Sequence, residues 1–259
     1  MKIYVSVVSH NHGKLIKNLD VLSKLNNDNI IIIIKNNIND AALVTYCLEK
    51  KIILIDENYF KGFGENNNLV FQYIVDNFEI TRDDYFLVLN PDVIIDKETL
   101  INYVSTCSKE RIKLSTLNLY IDRENNIYDN NIRKFPNIIT FFNSFLFKKN
   151  NSLINKVNIK HPQEMDWAAG SFLLFNIYHY KKINGFNQRY FMYCEDIDIC
   201  YRSARAGQRL TYLPQFSAIH LAKHENRNIF SKHFFWHLKS VFIFLLTKNF
   251  KLKILSKIK

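Results

Sequence analysis

Apolar residues follow two rhythms along the first ninety or so positions. Short, nearly unbroken apolar runs occur at 2–8 ("KIYVSVV"), 29–35 ("NIIIIIK"), 51–56 ("KIILID") and 84–90 ("DYFLVLN"). Such runs read as parallel strands covered on both faces. Between them lie stretches of helical spacing. "NHGKLIKNLDVLSKL" places Leu15, Leu19, Leu22 and Leu25 on one stripe, and "DAALVTYCLEK" and "GENNNLVFQYIVDNF" follow the same period. The alternation predicts an α/β fold with an open, mostly parallel central sheet and flanking helices. Ligands of such sheets bind beyond the carboxyl ends of the strands. Those ends are "SHNH", "KNN", "DENYFKGFG" and "NPDV".

After about residue 105 the rhythm loosens. "LSTLNLYI" reads as a strand, "DRENNIYDNN" as a loop and "FPNIITFFNSFLF" is ambiguous. "DWAAGSFLLFN" reads as a strand entered through a small-residue turn. "EDIDICYRSARAG" reads as a short helix stopped by Gly207, and "LTYLPQFSAIHL" as a last strand. The predicted division is a globular domain over 1–225 and a helical tail over 226–259.

Composition changes this picture in three places. Asn, Ile and Lys are abundant, so "ENNN" is no evidence of disorder, and the six glycines mark places where a side chain does not fit or φ is positive. The four cysteines lack CxxC or zinc spacing and read as free thiols of a reducing compartment. The N-terminal apolar run is broken by Ser and His and reads as a strand rather than a signal peptide. A formal charge of +11 favours a polyanionic partner or surface. Much of it is Lys-rich surface, and the rest gathers in the tail rather than on a nucleic-acid recognition motif, so no nucleic-acid partner is expected.

Within this basic chain, "FMYCEDIDIC" (191–200) crowds Glu195, Asp196 and Asp198 among aromatic and apolar residues. A helix start stabilises carboxylates, and Asp198 can pair with Arg202 at i,i+4. A carboxylate left over in that apolar nest has a raised pKa suited to general-base work. Asp92 in "NPDV" can hold a hard cation beside phosphate oxygens, or serve as turn chemistry. "KGFGENNN" lets backbone approach an anion, or forms a tight turn. Trp167 can stack on a sugar or fill core. His220 follows a strand, where imidazole ligates a metal or is structural.

The order of these pieces is more telling than any one of them. "GFGENNN", "LNPDVII", "STLNLY", "RKFP", "FFNSF", "WAAGSF", "YFMYCEDIDIC", "HENR" and "WHLKS" together resemble the inverting family 2 glycosyltransferases of GT-A fold, in their bacterial rhamnosyltransferase branch, to about residue 240. The resemblance implies a nucleotide-binding half and an acceptor half. It implies transfer of L-rhamnose from dTDP-L-rhamnose to a GlcNAc-diphospho-polyprenol in surface polysaccharide synthesis, with Mg2+ or Mn2+. Galactose or an N-acetylhexosamine is the alternative sugar. Asp196 falls on the family's catalytic base, with Glu195 orienting a sugar hydroxyl or the helix start. Asp92 and His220 fall on the metal ligands. Ser9, Asn36, Gly64, Asn67 and Asp92 fall on the donor side, Asn36 standing where relatives carry Asp. Trp167 and Gly170 fall on the acceptor side.

The tail intersperses Lys232, Lys239, Lys248, Lys251, Lys253, Lys257 and Lys259 among aromatic and aliphatic residues. Its longest apolar run, Val241 to Leu246, is too short to span a bilayer. It predicts a basic amphipathic helix at the inner membrane face, holding a cytoplasmic enzyme near a lipid-linked acceptor. A helix packed on the domain or on a second subunit is the other reading.

Overall fold

In the computed structural model the described residues are 1–137, 141, 152–222, 232–250 and 253–258, with side chains described from 235 onward in the 232–250 stretch. The motifs "HENR" and "FFNSF", the latter almost entirely, lie outside them, as does the 225/226 boundary. Strands β1 (Ile3–Ser9), β2 (Ile30–Asn36), β3 (Ile53–Ile55) and β4 (Tyr85–Leu89) form the parallel half of one sheet in the order β3-β2-β1-β4. Beyond β4 the sheet is mixed. It continues through β11 (Phe172–Asn176), β6 (Leu114–Asp122), β12 (Leu210–His220) and β5 (Val93–Ile94). β11 runs antiparallel to β4 and β6, and β12 is parallel to β6. β7 (Ile127–Tyr128) and β9 (Gln163–Met165) add short antiparallel edges, and β8 (Ile132–Arg133) pairs with β10 (Trp167–Ala168).

Period-two alternation splits the core into two layers. Ile3, Val5 and Val7 of β1 and Tyr85, Leu87 and Leu89 of β4 face one layer. There they meet helices α1 (Gly13–Leu19), α2 (Val21–Leu25), α3 (Ala41–Lys50) and α5 (Lys97–Lys109). Tyr4, Phe86 and Val88 face the other layer, with α4 (Phe63–Asn77), α6 (Ile177–Lys182) and α7 (Glu195–Arg205). The helix expected over 11–25 is two helices. Asp20 adopts left-handed φ 48° between them, and its carboxylate accepts from Ser23 and from the Tyr46 hydroxyl. Ile16, rather than Leu15 or Leu19, takes the buried place.

The asparagine run folds inward. Asn66, Asn67 and Asn68 are all buried. Asn67 Oδ1 accepts from Ser6 Oγ (2.7 Å), which pins α4 to β1. Asn68 donates to Phe186 O and accepts from the Tyr180 hydroxyl and Phe186 N–H. These amides satisfy backbone and hydroxyl groups that water cannot reach. Helix α8 (Lys232–Phe250) is docked on the domain: Phe244 is buried against Tyr201, and Ser240 donates to Met192 O. No helix among the described residues is long and apolar enough to cross a membrane.

Asp198 is fully buried and meets Arg202 Nε at 2.7 Å. The same guanidinium donates to the carbonyls of Ile183 and Gly185 (2.7 Å for the second), so the pair ties α7 to the turn before it. Removing one partner of a buried pair strands the other charge. Asp198→Ala is therefore expected to destabilise the fold by about 3–5 kcal/mol, read as a lower urea midpoint. An unchanged midpoint would refute this structural role.

Candidate active site

The sheet brings the chemistry to one edge. β4 ends in Asn90-Pro91-Asp92, and β11 starts beside it because it runs the other way. Asn90 N–H donates to Ser171 O (3.0 Å), joining the "NPD" turn to the "AAGS" turn. β5 then pairs with the end of β12 in a register that sets Val93 opposite His220, and Leu221 N–H donates to Asp92 O (3.1 Å). Two side chains far apart in sequence thereby meet: His220 Nε2 lies 3.3 Å from Asp92 Oδ1.

The other ring nitrogen has a partner that the sequence reading did not single out. Nδ1 of His220 lies 2.6 Å from Asp129 Oδ2. Burial lowers the imidazole pKa, but hydrogen bonds to Asp129 and Asp92 outweigh it and raise it to about 9. Asp92 is pushed up by burial, yet His220 holds it below the usual carboxylate range. No group of three His, Cys, Asp or Glu side chains among the described residues is placed to hold a metal. Asp92 and His220 supply two donors, an oxygen and a nitrogen, facing one another. That pair fits a divalent cation whose remaining ligands come from a substrate phosphate.

A second centre sits at the start of α7. Tyr193 and Cys194 both hold left-handed backbone, φ 71° and 64°, immediately before the helix. Such conformations cost about 1–3 kcal/mol each and persist where the surroundings impose them. They deliver Asp196 half-buried, its Oδ2 3.3 Å from the Gly170 N–H and its Oδ1 accepting from Ile197 N–H (2.8 Å). Burial raises the Asp196 pKa, against the backbone hydrogen bonds and the nearby Arg133 charge. Glu195 is enclosed, with Oε2 unpartnered among the described residues. Burial, then the Asp196 charge, raises its pKa further. Of the two, Asp196 is the more exposed to a ligand.

Several expected site residues have partners within the fold. Gly64 makes room for a ring: a Cβ there would lie 2.7 Å from the Phe186 Cβ. Asn67 spends its carbonyl on Ser6 and its amide on Phe63 O. Trp167 is no stacking platform, being 5% exposed with Nε1 donating to Lys134 O and Arg133 over its ring. Gly170 makes room for Phe63, whose ring a Cβ would meet at 2.8 Å, while offering its N–H to Asp196. Ser9 is buried, its hydroxyl accepting from His12 N–H.

Asn36 is buried at the end of β2. Its Nδ2 donates to Asp56 Oδ1 (2.7 Å), and its own Oδ1 has no partner among the described residues. Asp56 is exposed and also accepts from the Tyr59 hydroxyl (2.9 Å). A carboxylate missing from the second strand end is thus present at the third. Lys35 lies beneath, bonded to Asn36 O, and burial lowers its pKa to about 8 against the pull of Asp56 and Glu57. No spacing rule links 36 to 56 or 129 to 220, so these pairs were not legible in the sequence.

No protein-family model matches the chain. Among curated proteins, it is 41% identical over 249 residues, 95% of this chain and 94% of the relative, to rhamnosyltransferase WbbL of Escherichia coli strain K12. It is 26% identical over 174 residues, 64% of this chain and 56% of the relative, to the N-acetylglucosaminyl-diphospho-decaprenol L-rhamnosyltransferase of Mycobacterium tuberculosis. Its fold resembles GalNAc-T7, solved with UDP, GalNAc and Mn2+, at TM-score 0.65 and 12% identity, over 95% of this chain and 47% of that one. It also resembles the mannosyltransferase PcManGT of Pyrobaculum calidifontis, solved with GDP-Man and Mn2+, at TM-score 0.60 and 12% identity, over 97% of this chain and 65% of that one. On a GT-A sheet, and with that identity along nearly its whole length, the chain belongs to the rhamnosyltransferase family of glycosyltransferases.

Proposed function

We propose that this glycosyltransferase moves L-rhamnose from dTDP-L-rhamnose to a GlcNAc-diphospho-polyprenol, with inversion, in the synthesis of O-antigen or another surface polysaccharide. The observation that carries the reading is the convergence of Asp92, His220, Gly170 and Asp196 along one sheet edge. The names of the relatives support the sugar and the lipid-linked acceptor. Ser9, Asn36 and Asp56 line the edge where the nucleotide lies, beyond the ends of β1 to β3.

Asp196 accepts the proton of the acceptor hydroxyl. The hydroxyl oxygen forms a bond to the anomeric carbon as the bond from that carbon to the diphosphate oxygen breaks. The bonding pair leaves with dTDP, and one displacement inverts the centre. Asp92 and His220 would hold Mg2+ or Mn2+, which supplies positive charge against the leaving diphosphate. Glu195 lies enclosed beside the base, where burial and then the Asp196 charge raise its pKa.

Helix α8 supports a membrane-facing orientation. Phe235, Leu238 and Phe242 are exposed at i, i+3 and i+7, with Lys239 exposed beside them. The opposite face, Val241 and Phe244, is buried in the domain. An apolar strip edged by lysine suits an anionic lipid surface.

Three outcomes are expected. Asp196→Asn lowers kcat by about 100-fold to 10,000-fold while dTDP binding is kept, and wild-type kcat falls as pH drops through a pKa above the usual carboxylate range, because the base acts unprotonated. Stopped assays across pH read both, and full activity in the variant removes Asp196 from the role. Across a panel of nucleotide sugars, product from dTDP-L-rhamnose requires Mg2+ or Mn2+ and ceases with a chelator; transfer from another sugar alone would replace the donor. Exchanging Phe235, Leu238 and Phe242 for Ser abolishes co-sedimentation with anionic vesicles and leaves transfer to a water-soluble acceptor intact. Equal sedimentation of wild type and variant would discard the membrane role.

A further inference from the structure

We infer that Asp129 is the residue that orients His220 for cation binding, by holding its Nδ1–H so that only Nε2 is offered toward Asp92. The inference rests on the reading of Asp92 and His220 as metal ligands. Asp129 Oδ2 lies 2.6 Å from His220 Nδ1, the shorter of the two contacts of that ring with carboxylates; the other, at 3.3 Å, is to Asp92. Both partners are largely shielded, with side chains 13% and 15% exposed. A carboxylate only accepts at neutral pH, so the ring nitrogen facing Asp129 carries hydrogen. The nitrogen facing Asp92, which makes the longer contact, is then the one that gives up its proton when a cation binds. Ligating histidines commonly donate their second N–H to a carboxylate, which fixes ring and tautomer together.

Asp129 is itself fixed by local structure. It follows β7, which turns back on β6 through the 122–126 loop, where Asp122 accepts from the Asn125 backbone and side chain. Tyr120 and Tyr128 stack across that hairpin at 4.8 Å. Asp129 N–H then donates to Leu119 O (2.9 Å), setting the carboxylate beside the end of β12. Below lies Lys156, 5% exposed, its ammonium bonded to Asn118 Oδ1 and Leu119 O and facing the Tyr128 ring. Burial lowers the Lys156 pKa to about 7, and the charge of Asp129 opposes that fall.

The test uses the full chain with dTDP, comparing wild type, Asp129→Asn and Asp129→Ala. Asn keeps an acceptor oxygen, whereas Ala keeps none. Mn2+ affinity measured by calorimetry is expected to fall about 10-fold to 100-fold in Asp129→Ala and less in Asp129→Asn. Affinity for dTDP without metal stays near wild type, and Asp129→Asn, which keeps an acceptor for His220, unfolds near the wild-type temperature. Nitrogen-15 spectra of the Mg2+-loaded protein give a second readout: His220 shows Nδ1 protonated and Nε2 bare in wild type, and loses that pattern in Asp129→Ala. Wild-type affinity and an unchanged tautomer in Asp129→Ala overturn the role of Asp129 alone. Equal loss of metal-free dTDP binding also overturns it, marking a general structural defect. Failure of wild type to bind either ion with dTDP present overturns the metal reading, and this inference with it.

Discussion

One backbone hydrogen bond, from Asn90 N–H to Ser171 O, holds the two halves of the site in register. On its β4 side the chain runs on through Asp92 into β5, which pairs with β12 and meets His220. On its β11 side the preceding residue is Gly170, whose N–H points at Asp196. Because β11 runs antiparallel to β4, its beginning lies at the carboxyl end of the parallel strands. A fully parallel sheet would carry that turn to the opposite edge. The mixed sheet therefore brings Asp196 and the Asp92–His220 pair to one ledge.

Around that ledge three segments approach more closely than side chains permit. A Cβ on Gly62 would lie 2.3 Å from Phe191 O, one on Gly64 would strike Phe186, and one on Gly170 would strike Phe63. The glycine loop, the "AAGS" turn and the stretch before α7 thus interlock through aromatic rings placed where glycines leave room. The same stretch meets α8: Phe191 packs on Trp236, Tyr193 on His237, and Met192 O accepts from Ser240. The strained Tyr193 and Cys194 are clamped between the two. The helix with the exposed apolar strip accordingly rests on the turn that aims Asp196.

Charge is distributed by role. Asp198 is neutralised at once by Arg202 and serves the fold. Glu195 is enclosed and raised by burial. Asp196 remains half-exposed, with backbone N–H donors that moderate the rise. Three carboxylates in four positions thus meet three fates, decided by which face of the first helical turn each occupies. At the other centre Asp92 and Asp129 share one imidazole between them.

Much of this was legible in the sequence. Apolar runs separated by helical spacing gave the parallel strands, since burial on both faces needs continuous apolar residues. The i,i+4 spacing gave Asp198 and Arg202, and Gly207 marked the end of α7 with φ +84°. Local order also singled out Asp92, Asp196 and His220, and the fold sets Asp92 against His220 and Asp196 against Gly170. Tertiary structure alone decided the rest. Whether Trp167 faced a ligand or the core depended on a carbonyl 33 positions away. That Gly64 packs on Phe186 and Asn67 bonds Ser6 is something helical periodicity does not reveal. Asp56 and Asp129 carry no motif; each matters because a strand or hairpin lays it against a partner, in the second case 91 residues distant. Sequence determines the period and chemistry of each segment, because those rest on neighbours along the chain. Which side chains share a hydrogen bond depends on strand register and direction, and only the folded sheet sets those.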